Sequence, residues 1–210
     1  MNIVKKIDEM IEERSLLKHP FYQTWSDGKL TKEALAGYSK EYFQLVKAVP
    51  GFMSPIILQA PENVVGELIE NQLEESDHIK PWIAFAGELG ISEDELTSYT
   101  GLAKTRKAVS DLHELMTTFE GGAAAMYAFE KEIPKISQTK LDGLAEFYGM
   151  TSHEATEYFK LHTEADIRHA ASWRNILEQS TTDENNLIEI ADKSLAAQNL
   201  LLDSCYEEYC

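Results

Sequence analysis

The segment Tyr158–His169 reads YFKLHTEADIRH and is the most informative part of the chain. His162, Asp166 and His169 stand at positions i, i+4 and i+7 of this segment. On an α-helix these positions fall within an arc of roughly 60°, so three potential metal ligands project from one stripe. A combination of imidazole and carboxylate groups suits iron, manganese or zinc. The segment therefore predicts a helix that carries part of a metal site.

The ordinary alternative for such a segment is a solvated polar face on the outside of a helix. A solvated face would continue with polar residues along the same stripe. Here the stripe runs through Phe159, three residues before His162, and through Trp173, four residues after His169. These apolar neighbours favour a stripe that faces the protein interior.

Helical periodicity extends from this segment over almost the whole chain, and no run of alternating β-branched residues competes with it. Capping-box patterns begin at Ser92, Thr151 and Thr181, each followed three residues later by Glu. The sequence predicts an all-α fold. Its helices are expected near 3–17, from Thr31 towards Pro50, from Pro61 to His78, over 82–89, and near 102–120, 122–136, 138–148, 153–179 and 183–208.

Length and composition favour one helical domain over residues 1–210. The chain has 210 residues, 43% of them hydrophobic, and contains no Ser/Gly/Pro-rich linker, low-complexity tract or repeat of solenoid period. The two cysteines, Cys205 and Cys210, lie in the last six residues. They are expected to be reduced thiols on a frayed C-terminal tail, because chain termini are poorly ordered unless they are tied down.

The charge balance excludes one large class of partners. The formal net charge is −17, whereas binding to nucleic acid needs clustered Lys and Arg side chains. The first residues lack the apolar run of a signal peptide, and no later run approaches the roughly 20 apolar residues of a membrane span. We therefore expect a cytoplasmic protein that acts on small molecules and binds neither nucleic acid nor membrane.

Two further sets of potential ligands precede the histidine segment. Glu75 and His78 stand at positions i and i+3, and Glu74 and His78 at i and i+4, so either glutamate can share a metal with the histidine. Glu130 stands among Met126, Tyr127, Phe129 and Ile133, and a carboxylate in apolar surroundings is costly unless it is paired or bound to a metal. The ordinary alternative for all three glutamates is a solvated surface position.

Taken together, the three sets supply three histidines and three carboxylates from three helices. Such a set is sufficient for a carboxylate-bridged pair of metal ions with open positions for oxygen. Its members are Glu75, His78, Glu130, His162, Asp166 and His169.

These residues, in this order, resemble the heme-oxygenase-like diiron oxidases, and among them the CADD group. The resemblance covers nearly the whole chain. It is carried by His19-Pro20-Phe21-Tyr22 with Trp25, by Gly28–Glu33, by Tyr127–Pro134 and, most specifically, by the histidine segment. The resemblance implies a seven- to eight-helix bundle of the TenA/PqqC-like fold and a homodimer.

The resemblance also implies an activity. CADD-like proteins form p-aminobenzoate for folate biosynthesis with a dimetal centre, Fe/Fe or Fe/Mn, that uses O2 and a reductant. The ring comes from a tyrosine of the protein itself, so each chain reacts once. Tyr22 matches that tyrosine, Tyr38 and Tyr42 match further pocket tyrosines, and Lys140 matches the lysine that donates the amino group.

One departure from the group leaves two choices open. The connection between the first glutamate and its histidine is shorter here than in the CADD group. The pattern Asn71-x-x-Glu74-Glu75 favours Glu75 over Glu74 as the ligand. The shorter connection also leaves room for an external substrate, such as an amine or a fatty acid.

Two other classes of function compete with this interpretation. A metal-free enzyme resembling TenA would need a cysteine nucleophile in the pocket, and a cofactorless oxidase resembling PqqC would not need all six ligands. Both cysteines at the C-terminus count against the first, and the complete set counts against the second. The third possibility is a non-enzymatic interaction module, which the sequence neither favours nor excludes.

Overall fold

Helices make up all of the regular structure in a computed structural model that describes residues 2–210. None of the helices in this range is both long and apolar enough to cross a lipid bilayer. The helices are α1 (Ile3–Glu13), α2 (Pro20–Ser26), α3 (Lys32–Val46), α4 (Val49–Ile57), α5 (Glu62–Asp77), α6 (Ile79–Glu88), α7 (Glu93–Ser98), α8 (Ala103–Leu115), α9 (Phe119–Glu130), α10 (Ile133–Glu146), α11 (His153–Gln179) and α12 (Glu184–Tyr209), with a 3-10 helix at Leu16–Lys18.

The all-α class predicted from the sequence is confirmed. Within residues 2–210, nine of the helices have ten residues or more, against the seven to eight that the resemblance implies. These nine correspond in order to the segments expected from periodicity. At His78, α5 ends and α6 begins, because Pro81 in the first turn of α6 has no backbone N–H with which to continue the earlier helix.

The boundaries of α8, α9 and α10 differ from those expected from periodicity. Thr118 caps α9 by accepting a hydrogen bond from the backbone N–H of Gly121, so α8 ends before it rather than near residue 120. Pro134 lies in the first turn of α10 rather than near the end of α9. Proline is favoured at that position because the first N–H groups of a helix have no partner within it.

Two of the three predicted capping positions are wrong by one or two residues. Ser92 caps α7 as expected, by accepting from the backbone N–H of Glu95. In contrast, Ser152 rather than Thr151 caps α11, and Asp183 rather than Thr181 caps α12. Ser, Thr and Asp are all good N-caps, so a run such as Thr181-Thr182-Asp183 does not specify which of them ends the loop.

Small residues allow α9 to enter the core. All twelve residues of α9 except its first two are buried, including Gly121 to Ala125. A Cβ atom on Gly122 would lie 2.6 Å from Cδ1 of Ile56 on α4, so only glycine permits this approach. The close packing places Glu130, the last residue of α9, deep inside the bundle next to α11.

The C-terminal segment is ordered, which corrects the expectation of a frayed tail. α12 continues to Tyr209 and packs against α8, α9 and α3. Cys205 is fully buried in the core, and only Cys210 is exposed. The apolar face of α12 ties the terminus down, because Leu201, Leu202 and Cys205 all lie inside the bundle.

Candidate metal centre

The six residues predicted as metal ligands converge in the interior of the bundle. Glu75 lies on α5, His78 at the junction of α5 and α6, Glu130 at the end of α9, and the other three on one stripe of α11. Each of them is at most 6% exposed. The interior orientation predicted for the stripe of α11 is thus observed for His162, Asp166 and His169.

Their side chains form two groups that share one carboxylate. Glu75, His78 and His162 make the first group, and in the second Glu75 meets Glu130, Asp166 and His169. Within each group the potential ligand atoms lie within 4.8 Å of one another. Glu75 is thus the one carboxylate common to both groups, and it would be within reach of a metal ion bound in either of them.

The structure distinguishes the two neighbouring glutamates that the sequence left open. Glu75 points into the cluster, where its Oε1 lies 3.3 Å from Nδ1 of His169 and 3.5 Å from Nδ1 of His78. Glu74 points outwards and accepts hydrogen bonds from Arg168 and from Nε2 of His169. Glu75 is thus the member of the cluster, and Glu74 lies outside it.

The cluster fits metal ions because its polar atoms are left without partners. In residues 2–210, five buried side-chain N or O atoms lack a hydrogen bond, and four of them belong to this cluster: Glu75 Oε1, His78 Nδ1, Asp166 Oδ2 and His169 Nδ1. An unpaired buried polar atom costs about 1–3 kcal/mol. The concentration of such atoms at one point has a simple explanation if metal ions complete their coordination.

Burial governs the protonation of the carboxyl groups. It raises the pKa of Glu130 to about 8 and that of Asp166 well above its ordinary value. For Glu75, burial is outweighed by the electrostatic attraction of the neighbouring histidines His169, His78 and His162, which holds its pKa well below the usual range. Metal binding to this cluster would therefore displace protons from Glu130 and Asp166.

The histidines of α11 differ in the nitrogen that they present to the cluster. Nδ1 of His162 donates to the backbone carbonyl of Tyr158 at 2.7 Å, which leaves Nε2 to face Glu75 at 4.0 Å. Burial lowers the pKa of His162 to about 4, so its ring is neutral at physiological pH. A neutral imidazole with one nitrogen fixed by a hydrogen bond is prepared to bind metal through the other.

A small cavity borders the cluster. Its volume is about 10 Å³, and it is lined by Glu75, Glu130, His162 and Asp166 together with apolar residues, Tyr42 and Tyr158. Cavities that hold drug-sized ligands usually measure about 300–1,000 Å³. The space beside the cluster therefore suits oxygen better than a large organic substrate.

The remaining predicted residues form a second cluster around Lys140. This lysine is 2% exposed, and its Nζ lies 2.6 Å from the hydroxyl of Tyr38. The same Nζ is 4.6 Å from the ring centroid of Tyr42 and 5.2 Å from those of Tyr22 and Tyr38. Lys140 lies within α10 rather than at its start, so it is not the surface lysine that an ordinary interpretation would give.

The lysine–tyrosine cluster adjoins the metal cluster through Tyr42. Tyr42 lines the cavity, the ring centroids of Tyr38 and Tyr42 are 5.3 Å apart, and the hydroxyls of Tyr22 and Tyr38 are 3.5 Å apart. Burial raises the pKa of all three phenols above the ordinary value. They are consequently neutral and can lose an electron only together with a proton.

Cys205 approaches the lysine–tyrosine cluster, which the position of this residue in the sequence did not predict. Its thiol lies within electrostatic range of Tyr22, Tyr38 and Lys140. The C-terminal position of Cys205 therefore does not keep this residue away from the pocket, contrary to the expectation from the sequence. Burial nevertheless raises the pKa of Cys205 well above the ordinary value, and a protonated thiol is a poor nucleophile.

Two side chains that support the centre were not predicted as site residues. Nε1 of Trp173 donates to Oε2 of Glu130 at 2.6 Å, and Tyr158 stacks on His162 with ring centroids 4.1 Å apart. Both lie on α11, and the spacing could have identified them as neighbours of the ligands, because Tyr158 is four residues before His162 and Trp173 is four residues after His169. The sequence pattern identifies Trp173 only as a core residue.

Lys140 should make stability depend on pH in a defined window. Burial lowers its pKa from 10.5 to about 7. Between these values the unfolded chain binds a proton that the folded chain does not, so stability rises with pH and the effect ends below about pH 7. Relative to Lys140→Met, the free energy of unfolding of the wild type should rise by about 1.4 kcal/mol per pH unit from pH 7.5 to 9.5.

Urea unfolding of the metal-free proteins at several pH values measures this difference. Lys135→Met is the matched control, because Lys135 is exposed on the same helix and its replacement should leave the pH dependence unchanged. A difference between wild type and Lys140→Met that stays constant from pH 6.5 to 9.5 would contradict the lowered pKa.

An all-α bundle with a buried set of histidines and carboxylates defines a metal-binding helical bundle. Residues 36–201 match the family of iron-containing redox enzymes, and the chain belongs to this family. Membership in it supports the use of a metal by the chain and makes the protein an oxidoreductase.

Particular relatives narrow the comparison further. The 4-aminobenzoate synthase of Nitrosomonas europaea is 35% identical over 225 residues, which cover 98% of this chain and 92% of that protein. The 4-aminobenzoate synthase of Chlamydia muridarum is 32% identical over 213 residues, covering 98% and 88%. The resemblance to the CADD group that the motifs indicated is thereby confirmed.

Solved structures show the same fold. A TenA homologue from P. horikoshii superposes with a TM-score of 0.83 at 15% identity and covers 99% of both chains. A CADD-like protein of unknown function from Nostoc punctiforme superposes with a TM-score of 0.78 at 18% identity, covering 99% of this chain and 97% of that one. At these identities the likeness establishes the heme-oxygenase-like fold alone.

Proposed function

We propose that this chain forms 4-aminobenzoate and that the aromatic ring of the product comes from its own Tyr22. Two relatives that match nearly the whole chain are named 4-aminobenzoate synthase. Tyr22 is the residue that the resemblance to the CADD group assigns as the source of the ring. Its side chain is enclosed in the core, at 2% exposure, so solvent does not reach the phenol when it is oxidised.

The observation that carries the proposal is the burial of an amine among phenols beside a metal cluster. A lysine in an aromatic core is costly, and here Lys140 faces the rings of Tyr22, Tyr38 and Tyr42 instead of solvent. With a pKa of about 7, a large part of this lysine carries the unprotonated amine at physiological pH. Only an unprotonated amine has the lone pair needed to supply nitrogen to a ring.

The metal cluster supplies the oxidising part of the chemistry. Its six residues, Glu75, His78, Glu130, His162, Asp166 and His169, would hold two transition-metal ions, Fe/Fe or Fe/Mn. When bound, such a pair provides the reduction of O2, with electrons from a reductant, that makes oxidation of a phenol favourable.

The chain itself provides a route for protons and electrons between the two clusters. Tyr42 borders the cavity, Tyr38 packs against Tyr42, and the hydroxyl of Tyr22 lies next to that of Tyr38. The hydroxyl of Tyr38 accepts a hydrogen bond from Lys140 and lies near the hydroxyl of Tyr22. A proton leaving Tyr22 therefore has Tyr38 as its first acceptor.

The small volume of the cavity favours a substrate that is already part of the protein. An external amine or fatty acid would have to enter a space of about 10 Å³ that is walled by Leu45, Val46 and Phe129. No such entry is needed if the phenol belongs to the chain. As a consequence, each chain can react only once.

The yield of product per chain tests the proposal. Purified protein, loaded with iron and manganese and given O2 and a reductant but no organic substrate, should form at most one 4-aminobenzoate per chain. Omission of the metals or of O2 should abolish the product. Yields far above one per chain, or product only after addition of a small organic molecule, would contradict the self-derived ring and indicate an external substrate.

A further inference from the structure

Glu74 and Arg168 form an ion pair on the outer side of the metal cluster. The guanidinium of Arg168 donates to both carboxylate oxygens of Glu74, at 3.1 and 3.0 Å. Oε2 of Glu74 also lies 2.9 Å from Nε2 of His169. The pair is accessible to solvent, with side-chain exposures of 37% for Glu74 and 61% for Arg168, whereas the His169 side chain is fully buried.

This arrangement specifies which nitrogen of His169 faces inwards. A carboxylate can only accept a hydrogen bond, so Nε2 of His169 carries the hydrogen. Nδ1 lies 3.3 Å from Oε1 of Glu75 and has no hydrogen-bond partner. Nδ1 is therefore the atom of His169 that is available to a metal ion in the cluster.

His169 needs an acceptor from another helix, in contrast to the other histidine of its stripe. His162 donates from Nδ1 to the carbonyl of Tyr158 one turn earlier on α11 and presents Nε2. His169 presents the opposite nitrogen, so its outer Nε2 points away from its own backbone and meets α5 at Glu74. Arg168, the neighbour of His169 on α11, then clamps Glu74 by two parallel hydrogen bonds, the geometry in which arginine holds carboxylates best.

We propose that Glu74 is a positioning residue that fixes His169 as an Nδ1 ligand, and that Arg168 holds Glu74 in place. The inference rests on the metal centre of the proposed function and does not depend on the identity of the product. Outer carboxylates of this kind set the tautomer and orientation of a metal-bound histidine, and their loss typically lowers metal affinity 10- to 100-fold.

Zn²⁺ is a suitable probe because it binds without redox chemistry. Its affinity, measured by competition with a chelator, should fall about 10- to 100-fold in Glu74→Leu. It should fall less in Glu74→Gln, which keeps an acceptor oxygen, and also in Arg168→Met, which removes only the clamp. Glu164→Leu is the matched control: it removes an exposed carboxylate beside the same surface cleft and should leave the affinity unchanged.

Histidine ¹⁵N NMR gives a second readout that general destabilisation would not move. In the Zn²⁺ form of the wild type the His169 ring should be bound through Nδ1 and protonated at Nε2, with the signal assigned from a His169→Gln variant. Glu74→Leu should populate the other tautomer. Unchanged affinity and tautomer in Glu74→Leu would overturn this inference alone, whereas a wild type that binds no Zn²⁺ would overturn the metal centre as well.

Discussion

A Tyr22→Phe variant is expected to form no detectable 4-aminobenzoate while it binds metal as the wild type does. Phenylalanine keeps the ring in its place among Phe21 and Tyr38 but removes the hydroxyl from which the proton must leave. The lost contact to Tyr38 is long, at 3.5 Å, so the cost in stability should not exceed about 1 kcal/mol. The measurement is product by mass spectrometry, together with metal content of the same sample.

The variants Tyr38→Phe and Tyr42→Phe show whether the loss of product is specific to Tyr22. Lys140 lies almost equally close to all three rings, so geometry alone does not select the tyrosine that is consumed. If Tyr22 supplies the ring, the other two variants should lose rate but still form product. Product from Tyr22→Phe together with none from Tyr42→Phe would assign the ring to Tyr42 instead.

The double variant His162→Ala/His169→Ala should lose both metal ions. Each of the two ligand groups contains one of these histidines and shares Glu75 with the other group. Removing both therefore leaves one group without an imidazole and the other with only His78. Plasma mass spectrometry on protein from iron- and manganese-supplemented cells should find about two transition-metal ions per wild-type chain and almost none in the variant.

His153→Ala is the control for this experiment. His153 is exposed at the start of the same helix, so its replacement should leave the metal content at the wild-type level. Circular dichroism establishes that the double variant remains helical. A folded double variant that keeps about two metals per chain would show that the metals bind elsewhere.

Local spacing on one helix carried the prediction of the metal centre. The positions of His162, Asp166 and His169 follow from helical geometry, and the apolar neighbours on their stripe indicated the interior. Glu74 and Glu75 show the limit of such reasoning. Both are about one turn from His78, yet one points inwards and the other outwards. The choice depends on the rotation of α5 against α11, which is a tertiary property.

The burial of Lys140 and Cys205 was beyond the reach of sequence reasoning for a related reason. Lysine is nearly always exposed, and only the packing of α10 against α2 and α11 encloses Lys140. A residue this close to the chain terminus would be expected on a frayed segment. Cys205 is buried instead, because the long helix α12 packs against the bundle. In both cases the fold buries a residue that its type or its position in the chain would place at the surface.

Isotope labelling of the protein itself tests the central claim most directly. Protein grown with ring-¹³C tyrosine is loaded with iron and manganese and exposed to O2 and a reductant, in buffer that contains unlabelled free tyrosine. If Tyr22 is the source, the 4-aminobenzoate should carry ¹³C at every ring carbon, and the tryptic peptide that contains residue 22 should lose mass. Unlabelled product with an intact Tyr22 peptide would contradict the account and assign the ring to an external substrate.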